Sequence, residues 1–417
     1  MDAPIRSDKM HREKVFEGDM KIGMMADLYK PHISGVTNYI ALNKRVLEAA
    51  GHEVFVFTFG GLDYPDDEAN VIRSPGIPMV VKGYSFNVRY TRQARHLLQT
   101  MDVVHVHHPF VSGSLAMVYC KSKGIPIVFT NHTRYDLYAQ AYIPALAGLG
   151  DLAMGGYLPA FCRAVDLVIS PSAGMRDVLV KAGVDVPIEV VPNGINLDVF
   201  RQPTEPFSRA SLGFTDQDVL LFFVGRLGPE KNLAFLLRAF FAVLQAYPQV
   251  GLVLIGEGPD RENLEALVKQ EGAAGRVIFT GLLPYVEIPG YLAMGDAFVT
   301  ASVTEVHPFT VIEAMAAGMP VLGIRSPGVG DTIQDGRNGF LCPREDAAIF
   351  TAKLMRLVMD RDMRRDMGQA ARADSEQYAI ERTMQMMLER YQMLTQRAAA
   401  RPRKTSARGR RARSNNP

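Results

Sequence analysis

Short apolar runs alternate with helix-length segments almost from end to end of this chain, and the alternation restarts once near the middle. KIGMMADLY (21–29) reads as a strand and TNYIALNKRVLEAAG (37–51) as a helix. HEVFVFTF (52–59), VVHVHHP (103–109), PIVFTNH (126–132) and LVISPS (167–172) read as further strands. After residue 207 the series begins again with VLLFFVGRL (219–227), VGLVLIGEG (250–258), RVIFTG (276–281), DAFVTAS (296–302) and PVLGI (320–324). Strands spaced by helix-length segments build parallel sheets from βαβ units. The expected fold class is therefore α/β, with two doubly wound Rossmann-like domains at 20–198 and 208–375. A linker is expected over 199–207, joined near Gln202–Pro206. An amphipathic helix is expected over 376–396, packing back across both domains.

Length fits this division, since 417 residues exceed one ordinary core. Hydrophobic residues make up 47% and charged residues 22%, a globular composition. The net charge of +2 hides an asymmetry. From Arg397 onward the chain carries eight Lys/Arg and no Asp/Glu, which leaves 38 basic against 44 acidic residues elsewhere, a net of −6. The tail 397–417 has no apolar periodicity and is expected to be disordered, as is the N-terminus 1–19. Three cysteines, Cys120, Cys162 and Cys342, lie far apart and suggest neither a metal site nor a disulfide framework, which favours a reducing compartment. The first twenty residues lack the apolar stretch of a secretory signal, and no uninterrupted apolar run reaches the ~18–20 residues of a membrane span. We expect a cytoplasmic protein, peripheral at the inner face of the plasma membrane.

Two facing sheets place a ligand between the C-terminal ends of their strands. In TEVHPFTVIEAMAAGMPVLGI (304–324), Glu305 follows the strand DAFVTAS, Pro308 suits a first helical turn, and Glu313 lies about a turn inside. The amides of Phe309 and Thr310, with the helix dipole, would then face an anion or an electron-rich oxygen. VGRLGPEKNL (224–233) puts Arg226 and Lys231 at the entry to a helix, a pair of cations fit for a diphosphate. VLIGEGP (253–259) adds Glu257 and a glycine turn where backbone can approach a nucleotide. Gly35, in KPHISGVTNY, precedes another helix whose amides suit phosphate, and His132 ends the strand PIVFTNH at the same cleft. Each feature has a structural alternative, as a helix-end charge, a turn glycine or a core histidine. His105 and His107 share one strand face, but no carboxylate or cysteine near them in sequence completes a metal site.

Taken together, SGVTNY, FTNHT, VPNGIN, GRLGPEKN, LIGEGP and the Glu-x7-Glu of EVHPFTVIE followed by AMAAGMPV resemble the retaining GT-B glycosyltransferases of family 4, over roughly residues 20–395. The resemblance implies that Glu305 binds hydroxyls of the donor sugar and Glu313 those of the ribose. It implies that Arg226 and Lys231 hold the diphosphate, that Gly35 lets the backbone approach it, and that His132 sits beside the sugar's outer hydroxyls. One departure stands out. Family members often carry Phe-Gly two residues after the first Glu, where this chain has His307-Pro308. The amides of His307 and Phe309 are expected to reach the sugar, whereas Pro308 has no N–H to donate. The implied chemistry is hexose transfer from a nucleotide-diphosphate sugar, with no essential metal or cofactor.

FTNHTRYDLYAQAYIPAL (129–146) resembles the subgroup that glucosylates diacylglycerol. Arg134, Tyr135, Tyr138 and Tyr142 are the acceptor and membrane candidates. Residues 80–184 hold ten Lys/Arg and five Asp, a balance suited to an anionic membrane surface. Other acceptors (phosphatidylinositol, a polysaccharide, a small molecule) stay open, as do an epimerase, a phosphorylase and a nucleotide-sugar-binding protein without transferase activity. No motif for specific nucleic-acid recognition is present.

Overall fold

The computed structural model describes residues 19–32, 34–78, 85–86, 89–135, 147–203 and 207–400. Strands β1 (Lys21–Met25), β2 (Glu53–Phe59) and β3 (Val71–Ser74) are followed by a small antiparallel pair, β4 (Ile77–Pro78) and β5 (Ser85–Phe86). Then come β6 (Val103–Val106), β7 (Ile127–Thr130), β8 (Leu167–Ser170) and β9 (Ile188–Val190). Seven of these form a parallel sheet in the order β3-β2-β1-β6-β7-β8-β9. The second half supplies β10 (Val219–Val224), β11 (Val250–Ile255), β12 (Val277–Gly281), β13 (Ala297–Val299), β14 (Val321–Ile324) and β15 (Gly339–Cys342). Their order is β12-β11-β10-β13-β14-β15, again all parallel. In both sheets the order reverses beside the first strand, and such switch points are where open α/β sheets bind ligands.

Six helices position the site: α1 (Gly35–Ala49), α2 (Ala173–Lys181), α3 (Leu233–Ala246), α4 (Phe309–Ala316), α5 (Pro327–Thr332) and α6 (Ile380–Ala400). Strands such as β2 and β11 are buried almost throughout, as parallel strands covered on both faces must be. The long α6 returns to the N-terminal sheet. Its Ile380, Met384, Met387, Leu388 and Tyr391 join the cluster of Ile22, Val54, Val103 and Val128. Each such buried side chain contributes roughly 1.5–3 kcal/mol, so α6 is held as a structural strap. On the way there, Gly194 meets it so closely that an added Cβ would lie 2.0 Å from Thr383 Oγ1.

Three boundaries differ from the sequence reading. The stretch read as linker begins in helix, because Asn196 caps a short turn over Leu197–Arg201. The last helix starts at Ile380 after a 3-10 turn over Ser375–Tyr378, and it runs on through Ala400. Arg397 to Ala400, read as the start of a disordered tail, are helical, and Ala is the residue that costs least in a helix. Residues 1–18 and 401–417 lie outside the described residues. Cys120, Cys162 and Cys342 are all buried free thiols. Among the described residues no helix is long and apolar enough to cross a membrane.

Candidate active site

The two helix N-termini named from sequence, those of α1 and α4, meet across the cleft. A Cβ added at Gly35 would lie 3.5 Å from the Phe309 ring. Ser34 caps α1, its Oγ accepting from the Thr37 amide at 3.2 Å while the Thr37 hydroxyl accepts from the Ser34 amide at 2.8 Å. α4 has no such device. Pro308 stands at its cap with an extended backbone and makes no side-chain cap bond, so the helix begins one residue later than Pro308's suitability for the first turn suggested. The amides of Phe309 and Thr310 therefore open the helix without an intrahelical acceptor, and they carry its positive dipole end.

Beside α4 lies an ion pair between the loops after β10 and β13. Lys231 Nζ donates to Glu305 Oε1 at 2.6 Å, both side chains being about four-fifths buried. Burial pushes the Glu305 carboxyl up, but the Lys231 charge and hydrogen bonds from Lys231 and Ser302 outweigh it and hold the group below its ordinary value. Glu305 is thus an anion at neutral pH. Glu313, 3% exposed on α4, is different: burial pushes it up to about 7, against a hydrogen bond donated by Tyr285 Oη at 2.8 Å. Two carboxylates eight positions apart are thus shifted in opposite directions.

The two glycine loops of the C-terminal sheet support this site by touching each other. The Leu227 amide donates to Glu257 O at 2.9 Å and the Asp260 amide to Leu227 O at 3.0 Å. A Cβ at Gly256 would fall 1.9 Å from Gly225 O, and one at Gly258 2.2 Å from Leu227 O. The glycines of LIGEGP, read as room for a nucleotide, are instead filled by the neighbouring loop. Exposed Glu257 is engaged by Arg261. Arg226 is exposed at the end of this loop, and its charge adds to burial in holding His32 of the facing domain below the usual histidine range. His32 was not picked out from sequence, although it stands in the KPHISG segment.

Half-buried His132 joins a chain of buried histidines. Its Nε2 lies 3.0 Å from His107 Nδ1, and His105 links Tyr391 Oη at 2.6 Å to Thr130 Oγ1 at 2.7 Å. The rings of His105 and His107 stand 4.2 Å apart. Burial drives all three down, His105 to about 3 and His107 and His132 well below the ordinary histidine value. His107 Nε2 has no hydrogen-bond partner among the described residues. An orphaned buried N–H is rarer than an under-used acceptor, so His107 carries its proton on Nδ1 and donates to His132. His132 then holds its own proton on Nδ1. Among the described residues no group of three or more His, Cys, Asp or Glu is arranged to hold a metal.

His307 turns inward, not toward a ligand. Its ring packs edge-on against Tyr378 at 5.3 Å, and burial lowers it to about 3. Any contact it makes in the cleft is left to its backbone. Among the residues expected at the acceptor, Tyr135 packs edge-on against Phe110 at 5.1 Å, and Phe110 stacks on Tyr157. Arg134 is half-buried beside them. Tyr138 and Tyr142 lie outside the described residues.

Comparison with known proteins places this geometry. Residues 33–199 match the family model described as Glycosyltransferase Family 4, and residues 204–374 that described as Glycosyl transferases group 1. An alpha-monoglucosyldiacylglycerol synthase of Acholeplasma laidlawii is 30% identical over 347 residues, 79% of this chain and 86% of the relative. The enzyme of that name from Streptococcus pneumoniae is 33% identical, over 77% of this chain and 75% of its own length. Among solved structures, Anabaena Alr3699/HepE in complex with UDP and glucose superposes with a TM-score of 0.69 at 18% identity, over 90% of this chain and 100% of that one. With matches running through both halves and both sheets, the chain belongs to glycosyltransferase family 4 and is a hexosyltransferase of the GT-B fold.

Proposed function

We propose that the protein moves glucose from UDP-glucose to the free hydroxyl of diacylglycerol at a membrane surface, with retention of the anomeric configuration. The acceptor rests on one observation: two relatives at 30% and 33% identity, aligned over more than three quarters of this chain, are both alpha-monoglucosyldiacylglycerol synthases. The UDP donor draws support from the similar Anabaena fold, solved with UDP and glucose. Exposed Phe110, with half-buried Tyr135 and Tyr157 packed on it, offers an apolar approach for an acyl-bearing substrate.

In this reading the bond from the sugar C1 to the β-phosphate oxygen breaks, and its electron pair stays on that oxygen. Lys231, Arg226 and the free amides at the start of α4 stabilise the growing negative charge. These groups supply what a divalent cation supplies elsewhere, so the reaction needs no metal. The acceptor oxygen attacks C1 on the face the phosphate leaves, and its proton passes to the departing phosphate. Glu305, kept ionised by Lys231, accepts hydrogen bonds from sugar hydroxyls, and Glu313 takes those of the ribose once Tyr285 gives way. Neither acts as a nucleophile. Retaining glycosidases set two carboxylates ~5–5.5 Å apart on either side of one bond, whereas Glu313 is buried against Tyr285.

The test is a panel of UDP-, GDP- and ADP-glucose with anionic vesicles containing diacylglycerol or phosphatidylinositol, alongside soluble sugar acceptors, read by mass spectrometry. Glucosyl-diacylglycerol formed from UDP-glucose supports the reading. Product on soluble acceptors alone discards the lipid acceptor and leaves the donor chemistry standing.

A further inference from the structure

Val306 stands between Glu305 and His307 in the C-terminal half, yet its side chain belongs to the apolar core of the N-terminal sheet, in the cluster with Phe129, Val168, Met175 and Leu179. Its carbonyl oxygen accepts the Ser172 hydroxyl at 2.8 Å. Ser172 is 3% exposed and caps α2, its Oγ also accepting from the Met175 amide at 3.1 Å. One hydroxyl thus starts a helix in the first domain and holds the backbone of the second.

The surroundings leave this contact little play. The Gly174 amide donates to Asp331 of α5 at 2.7 Å, and a Cβ at Gly174 would fall 2.4 Å from Pro327 O. On the other side, the Gly328 amide donates to Glu305 O at 2.8 Å, and a Cβ at Gly328 would lie 2.3 Å from Val306 O. The segment 305–307 is therefore clamped twice, by its own domain through Gly328 and by the facing domain through Ser172.

We propose that Ser172 and Val306 form an interdomain latch that positions Glu305, so that the donor-sugar carboxylate takes its working place only when the two domains are closed. Buried backbone carbonyls are costly to strip of a partner, and Val306 leaving the N-terminal core would expose its side chain, so opening breaks both contacts at once. Ser172 acts through the loop and touches no substrate; it is a positioning residue. The inference rests on the reading that Glu305 binds the donor sugar. Domain closure that completes a site is a common way for enzymes to link binding to turnover.

The experiment uses the full chain with spin labels on Val118→Cys and Met359→Cys, both well exposed and one in each domain, and the three buried cysteines retained. Interdomain distances are measured by pulsed dipolar spectroscopy for the parent and for Ser172→Ala, Ser172→Thr and Gly174→Ala. The latch predicts a longer, broader distance distribution in Ser172→Ala and Gly174→Ala, and a parent-like one in Ser172→Thr. On the unlabelled protein, kcat falls about tenfold in Ser172→Ala while the donor KM stays within about twofold, since Arg226, Lys231 and Glu313, the side chains proposed to hold the nucleotide, lie within one domain; Ser172→Thr restores the rate. A distance distribution or a kcat left at the parent value by Ser172→Ala overturns the proposal. A parent enzyme inactive on diacylglycerol sinks the acceptor reading alone, and the distances then decide the latch.

Discussion

Lys231 and Glu305, 74 positions apart, meet at 2.6 Å where the loops after β10 and β13 converge at the cleft. Each group sets the other's state: the lysine keeps the carboxylate ionised, and the carboxylate holds the lysine beside the start of α4.

Removing the lysine should therefore cost more than one phosphate contact. Lys231→Met is expected to lower kcat/KM by about 10²–10³, the range for losing one donor to a developing oxyanion. The Glu305 carboxyl of this variant should also titrate upward, because burial is then opposed only by the Ser302 hydrogen bond. Steady-state kinetics as a function of pH would check both. A loss under about threefold would mean that the pair is only structural.

Glu313 should give donor binding a pH dependence. Its carboxyl, pushed up to about 7, accepts hydroxyl hydrogen bonds best when ionised. The donor KM should fall as pH rises through about 7 and then level off. Glu313→Gln should remove that inflection and raise KM, and Tyr285→Phe should move it higher, since the tyrosine hydroxyl holds the value down. An inflection unchanged in Glu313→Gln would assign it to another group.

The contact between the two glycine loops should be intolerant of a single methyl group. Gly256 has φ +141° and no space for a Cβ. Gly256→Ala is expected to cost about 3 kcal/mol or more, from backbone strain plus displacement of the Gly225 carbonyl. Thermal unfolding of the variant would show it as a lowered transition.

Acid should weaken the fold earlier than its carboxylates alone would cause. His105 and His307 sit near 3 when folded, and His107 and His132 are held well below the ordinary value. Unfolded, each takes a proton near 6.5, so the unfolded state binds more protons below that pH and stability falls. Each histidine contributes at most ~1.4 kcal/mol per pH unit. Glu313 has the opposite sign: raised to about 7 from an ordinary 4.5, it favours the fold as pH drops through that window. These four groups against Glu313 leave a net loss of order 3 kcal/mol between pH 7.5 and about 5.5, to which the lowered His32, His52 and His108 add. Urea midpoints at the two pH values would measure it, and equal midpoints would contradict it.

Much of this site was legible because its parts are local. A period of two puts His105 of β6 and His107, just past its end, on one side, and strand ends followed by Gly, Pro and charged residues located Glu305, Arg226, Lys231 and Gly35 at the cleft. What stayed hidden was which loop meets which. Sequence shows that Gly256 leaves room, but only the fold shows that Gly225 fills it. The contact expected of His307 is its amide, and only the fold shows that its ring packs away against Tyr378. Ser172 and Val306 carry no motif, since their meaning depends on two domains touching. The end of α6 was misread for a simpler reason: Arg397 was grouped with the cations that follow it, while the alanines after it continue the helix.

The most direct test of the account follows ¹³C-labelled glucose from UDP-glucose to diacylglycerol in vesicles, with EDTA present, and reads the anomeric configuration of the isolated product by NMR. The account predicts an α-linked glucosyl-diacylglycerol, formed without added metal and lost in Glu305→Ala and Arg226→Ala. A β-linked product, or an α-linked one made equally well by both variants, would contradict it.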